Sequence, residues 1–202
     1  MTTREPSDHT LQARARLCIF HGTVVTAEQA LGMSDEEITS TFLLEHGAKP
    51  TNLLTAGVGP VELKKRGAAT ARVLRDFGFD ALSLCDPLFA HQASLAYGAD
   101  EVKAAFVVAP VDAVAVAGSE AQHILKISVA EMLAACAGAP TEALAVLKQL
   151  PEGISLEGVP VETLLDAGLR QQSLRSCGYT LNHLVAQCGA KSKDLFKLGF
   201  TF

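Results

Sequence analysis

Glycine recurs along this chain at a near-fixed interval, and that recurrence constrains the fold more than any other feature. Of 16 glycines, twelve stand on one ladder: Gly47, Gly57, Gly67, Gly78, Gly98, Gly118, Gly138, Gly158, Gly168, Gly178, Gly189 and Gly199, at intervals of 10, 20 or 11. Chance would fill roughly one rung of such a ladder, so the repeat must be read before any local motif.

Alignment on the glycine shows what each unit contains. Four residues before it stand Leu43, Leu53, Leu63, Leu74, Leu84, Val114, Ile124, Leu144, Ile154, Leu164, Leu174 and Leu195; one residue after it come Val58, Phe79, Phe89, Val129, Val159, Leu169, Tyr179 and Phe200. A helix starter follows closely in Pro50, Pro60, Thr70, Pro110, Pro140, Pro160 and Thr180. Glycine at the stop and Pro or a hydroxyl at the next start is the order of a helix end followed by a helix beginning. Each unit therefore reads as a helix of about six or seven residues, closed by a left-handed Gly. Helices this short are unstable alone, so neighbours must supply their burial. The expected fold is all-α, an array of ten-residue helical repeats forming an α-solenoid or curved superhelix. Rungs 88, 108, 128 and 148 hold Leu88, Val108, Ser128 and Lys148, which pairs the central units into blocks of 20.

One rival geometry uses the same letters. The apolar positions around each Gly are five residues apart, a period that pentapeptide-repeat β-helices share. Their coils resemble A-(D/N)-L-x-x, whereas the places for small residues here hold Arg66, Phe77, Gln122, Glu142, Glu152, Glu162 and Gln172. The 11-residue steps at Gly78 and Gly189 would also throw a square coil out of register. The β-helix is the lesser alternative. The Val-rich run within 104–118 leaves a strand open there.

Three regions follow from the pattern: a flexible tail over 1–16, capping helices over 17–46, and one continuous array over 47–202. Ser34-Asp35-Glu36-Glu37 is a capping box, predicting a helix from about Asp35 to His46, with a shorter one over Ala27 to Gly32 before it. The last unit ends on Gly199-Phe200-Thr201-Phe202, an apolar end suited to a partner, to a second copy through Phe200 and Phe202, or to folding back into the last groove.

Composition suits a soluble chain that buries apolar faces throughout, with 49% hydrophobic and 19% charged residues. No apolar stretch is long enough to span a membrane and the first residues lack a signal-peptide core, so a cytoplasmic setting is expected. A net charge of −5 argues against a general nucleic-acid coat. The five cysteines never form CxxC and read as reduced thiols. Cys177 and Cys188 each precede a ladder Gly, and His183 with Cys188 falls short of a metal ligand set. Nucleophile, Walker and dinucleotide motifs are missing, so no enzyme activity and no cofactor or metal are expected.

Ala56-Gly57-Val58-Gly59 leads into Pro60-Val61-Glu62-Leu63, followed by Lys64, Lys65, Arg66, Arg72 and Arg75. Over about 20 residues this resembles the helix-hairpin-helix nucleic-acid binders. The resemblance implies that N–H groups at Gly57 and Gly59 would face a phosphate, with the five basic residues adding charge. It departs from that family upstream, where Gly47 and Pro50 leave barely one helical turn. The leading expectation is a protein-binding or scaffolding module. Nucleic-acid binding through 54–75 and self-assembly through the C-terminal end are the alternatives.

Overall fold

The computed structural model of the protein describes residues 38–45, 47–151 and 155–201. Among them stand fourteen short α-helices, one 3-10 helix and no strand. The β-helix alternative is thereby overturned, and so is a strand in 104–118, where Pro110–Val116 is helical. The expected 1–16 tail, the Ala27–Gly32 helix, the Ser34 capping box, His46 and Phe202 lie outside the described residues.

In chain order the α-helices are α1 (Ser40–Glu45), α2 (Pro50–Thr55), α3 (Pro60–Lys65), α4 (Arg72–Asp76), α5 (Pro87–Tyr97), α6 (Ala99–Phe106) and α7 (Pro110–Val116). They continue as α8 (Glu120–Ile124), α9 (Val129–Ala135), α10 (Pro140–Gln149), α11 (Val161–Asp166), α12 (Gln171–Ser176), α13 (Leu181–Cys188) and α14 (Ser192–Lys197), with the 3-10 turn Ser83–Cys85 between α4 and α5. Helix α1 is shorter than the predicted 35–46. Thr39 Oγ1 accepts the Phe42 N–H at 3.2 Å and caps the helix there.

All twelve ladder glycines have positive φ. At Gly47, Gly57, Gly67, Gly78, Gly168, Gly178 and Gly199 the next residue's N–H returns to the carbonyl four before the glycine, completing a left-handed stop. The Val58 N–H donates to Leu53 O at 2.8 Å and the Gly57 N–H to Leu54 O at 3.0 Å; Tyr179 to Leu174 O and Gly178 to Arg175 O repeat the pair at 3.0 Å each. This wrap-back brings the residue after Gly against the one four before it, across a five-residue step. The spacing that suggested a β-coil is the footprint of this helix stop. Its anchor leucines Leu43, Leu53, Leu63, Leu74, Leu164 and Leu174 are fully buried, as are Leu169 and Phe200 on the far side.

The empty rungs have separate causes instead of one 20-residue period. At 88, Asp86 takes the N–H groups of Leu88 and Phe89 on its carboxylate and starts α5 directly. Val108 lies in an extended link whose next residue, Ala109, donates to Asp112 Oδ2 at 3.1 Å. Near rung 128 the stop comes two residues early, where Lys126 adopts φ 53° and Ile127 donates back to Gln122 O. Rung 148 lies inside the ten-residue helix α10. These shifts move the core register: Val114, Ile124 and Leu144 are half-buried, and Ala113, Leu125 and Ala143 take the buried places.

The described residues belong to two compact units, one within 1–79 and 91–102, the other within 80–90 and 103–202. In the first, Arg66 Nη1 donates to Ile38 O, 28 residues away, and the Ala71 N–H to Glu101, 30 away. In the second, the Gly138 N–H donates to Asp166 O at 2.7 Å and the Gln171 N–H to Leu198 O at 2.8 Å. Lys103 pairs with Glu131, 28 residues on. Lateral partners thus recur about three units apart.

Candidate binding groove

The basic hairpin between α2 and α3 has the local geometry its sequence suggests. Gly57 sits at φ 76° and Gly59 is the extended N-cap before Pro60. Its surroundings differ from a phosphate seat. Val58, Gly59 and Pro60 are buried, and Gln92 of α5 lies directly over Gly59, where a Cβ would strike its amide oxygen.

Much of the positive charge beside it is engaged within the fold. Lys64 Nζ donates to Ala69 O at 2.8 Å and stands 4.7 Å from the Tyr97 ring centroid. Arg66 holds Ile38 O at 3.1 Å and Glu62 at 3.0 Å, and Lys65 approaches Glu62 at 3.7 Å. Arg72 is exposed and Arg75 half-buried, both on α4. Tyr97 is buried, and its phenol is pushed up to about 12 by that burial and then by Glu101.

At the other end, Phe200 is not a surface residue. It is 1% exposed, with the Arg175 guanidinium 5.7 Å from its ring centroid, because it is the wrap-back residue of the last described stop. The fold-back outcome applies to it, which removes Phe200 as a free surface for self-association. Phe196 on α14 is the exposed aromatic nearby, at 72%.

The structure opens a different surface, which the sequence reading passed over. Between the C-terminal end of α10 and the α12–α13 turn lies a concave pocket of about 540 Å³. Leu147, Leu150 and Pro151 form one side; Tyr179, His183 and Gln187 stand on the other, with Lys148 at the pocket. A shallower hollow of about 420 Å³, lined by Arg175, Thr180 and Asn182 among others, shares Gly178 and Tyr179 with it. The two form one groove around a single helix stop.

Its chemistry follows from local hydrogen bonds. The Thr180 N–H donates to His183 Nδ1 at 3.2 Å, so the neutral imidazole carries its proton on Nε2 and is a donor there. Gln187 Oε1 already accepts the Leu156 N–H, which orients the amide and leaves both N–H groups of its NH₂ to donate. The His183 N–H goes to Thr180 Oγ1, while the first-turn N–H groups of Leu181 and Asn182 have no acceptor within their helix. No Asp or Glu is found among the described lining residues. The missed signal was an absence: positions 167–193 contain no acid, although the chain has 22.

Cys85, Cys136, Cys177 and Cys188 are free thiols. Burial pushes the Cys188 thiol up to about 11, and burial followed by Glu142 does the same to Cys136, which keeps both protonated and poorly nucleophilic. Among the described residues no three His, Cys, Asp or Glu side chains converge on a metal position, and no helix is long and apolar enough to cross a membrane. The chain matches no protein-family model, no curated protein and no solved structure.

Proposed function

We propose that this chain is a non-enzymatic helical-repeat module that binds another protein, its helices stacked as an α-solenoid in coils of roughly three units. The stacking is supported by lateral bonds that recur at the same separation in each compact unit. A reducing, cytoplasmic setting suits its free thiols.

One observation carries the binding reading. Leu82, Leu88, Val108 and Val111 are 57% to 69% exposed, although Leu84, the anchor leucine between the first two, is fully buried. Leu82 and Val111 flank elements that touch, the 3-10 turn and α7. Large apolar side chains left in water near one another are a feature of protein-interaction surfaces.

Affinity capture comparing the native chain with the Leu82→Asp/Val111→Asp variant tests the reading, with circular dichroism confirming equal helicity. A captured protein lost with the variant supports it; equal capture by both chains overturns this surface. For the stacking, a compact chain of this length has a radius of gyration near ~17 Å. Small-angle scattering of an extended solenoid must give a clearly larger value.

A further inference from the structure

We infer that the groove around Gly178 is a seat for a carboxylate side chain of an extended acidic peptide, with an apolar residue beside that carboxylate. This rests on the protein-binding reading and adds the chemistry of the partner.

The argument starts from the balance of donors and acceptors. At the pocket, Lys148 supplies an ammonium, His183 an Nε2–H and Gln187 an NH₂; the one acceptor lone pair of His183 Nδ1 is taken by a backbone N–H, and Gln187 Oε1 already accepts another. At the adjoining hollow, Arg175 and Asn182 add further donors. A ligand that satisfies such a set must be rich in acceptors, and an anion in the pocket gains a charge-assisted bond from Lys148, with Arg175 at the adjoining hollow.

Charge selects the same class. The chain carries −5 overall, yet 167–193 holds Arg170, Arg175, Lys191 and Lys193 with no acid. At the groove itself the charged lining residues are Lys148 and Arg175, both basic, a local balance that steers an acidic partner.

Shape and composition favour a peptide over a phosphate backbone. Leu147, Leu150 and Pro151 form an apolar side to the same pocket, which suits an aliphatic neighbour of the carboxylate. A phosphate backbone would leave that apolar side without a matching group. Arg175 is held in place by its contact with Phe200. That contact narrows the positions from which Arg175 must be ordered, which lowers the ordering cost of binding.

The test is an NMR titration of the full chain with acetyl-Glu-Leu-amide, using acetyl-Gln-Leu-amide as the neutral match and inorganic phosphate as a separate arm. The expected result is saturable shifts at Gly178, Thr180 and the His183 side chain with the Glu probe. Binding of the Gln probe should be at least about tenfold weaker. Lys148→Glu, at an exposed position, should lose the Glu response with an unchanged spectrum elsewhere. Equal binding of the two peptides, no saturable shift, or tighter binding of phosphate than of the Glu probe each overturns the inference. Those outcomes leave the Leu82/Val111 capture result standing, so failure of the groove and failure of the protein-binding reading are separable.

Discussion

The Gly57 turn and the Gly178 turn begin alike. Each follows a six-residue helix, each glycine is left-handed and open on its Cβ side, and each is anchored by a fully buried leucine four residues earlier, Leu53 or Leu174. Beyond the glycine they part. After Gly57 the chain runs into buried Val58, Gly59 and Pro60 beneath Gln92, and Lys64 and Arg66 bond within the fold. After Gly178 it runs past a buried Tyr179 into exposed Thr180, Asn182 and His183, which face two adjoining hollows. The lesson is that concentrated charge in sequence does not by itself leave a turn open; what packs over the turn decides that.

The strongest way to break this comparison is to remove the anchors. Leu53→Ala and Leu174→Ala should each destabilise the chain by about 2–5 kcal/mol in urea denaturation, since each empties a fully buried site. Unequal losses outside that range would mean the two stops are not the same device. Charge reversal separates the surfaces next. Arg66→Glu should cost about 1–3 kcal/mol, because it severs the bond to Ile38 O and places a like charge beside Glu62. Lys148→Glu, at an exposed site, should stay within about 0.5 kcal/mol of the native chain.

Gly57→Ala and Gly178→Ala should each cost about 1–2 kcal/mol from left-handed strain alone, since neither new Cβ meets another atom. Gly118→Ala should exceed both, as its Cβ would run into the Gln149 carbonyl. The converse applies at Lys126, the non-glycine stop at φ 53°. Lys126→Gly should stabilise by up to about 1 kcal/mol in the same assay, and a loss would show that its side chain has a role there.

The smallest effect is a pH dependence in the helix starts. Burial works against ionisation of Glu131, but Lys103 at 2.8 Å, with the Ser128 N–H and hydroxyl, outweighs it and holds the carboxyl below its usual value. A depressed carboxyl contributes stability that is full above its unfolded-state pKa and is lost as pH falls through the folded value. Because the Glu131 side chain is 45% exposed, solvent screening keeps that contribution under about 1 kcal/mol. Glu131→Gln should flatten this part of the acid limb of a stability–pH curve. Identical acid limbs in Glu131→Gln and the native chain would remove the assignment.

Much of the fold was legible because the helix stop is a local event. A left-handed residue needs glycine to avoid strain, and wrap-back needs an apolar residue on either side of a five-residue step, so the ladder spelled out helix, stop and core anchor in most units. It misled at the four rungs without glycine, where Asp86 starts α5 directly, Val108 lies in a link, Lys126 accepts left-handed strain two residues early, and α10 runs through 148. The Ser128–Glu131 capping box was also present in the letters and went unread, because rung 128 had been aligned as an empty stop.

The surface was not legible by the same means. Gln92 covers Gly59 from 33 positions away, and Lys148 comes to the Gly178 turn from 30 positions before it. By itself the sequence determined where the glycine-closed helices end, because that depends on one residue's backbone freedom and two neighbours' hydrophobicity. Only the tertiary structure decided which turn is covered and which is open, because cover is supplied by residues about three units away, and no local pattern encodes which of them arrives.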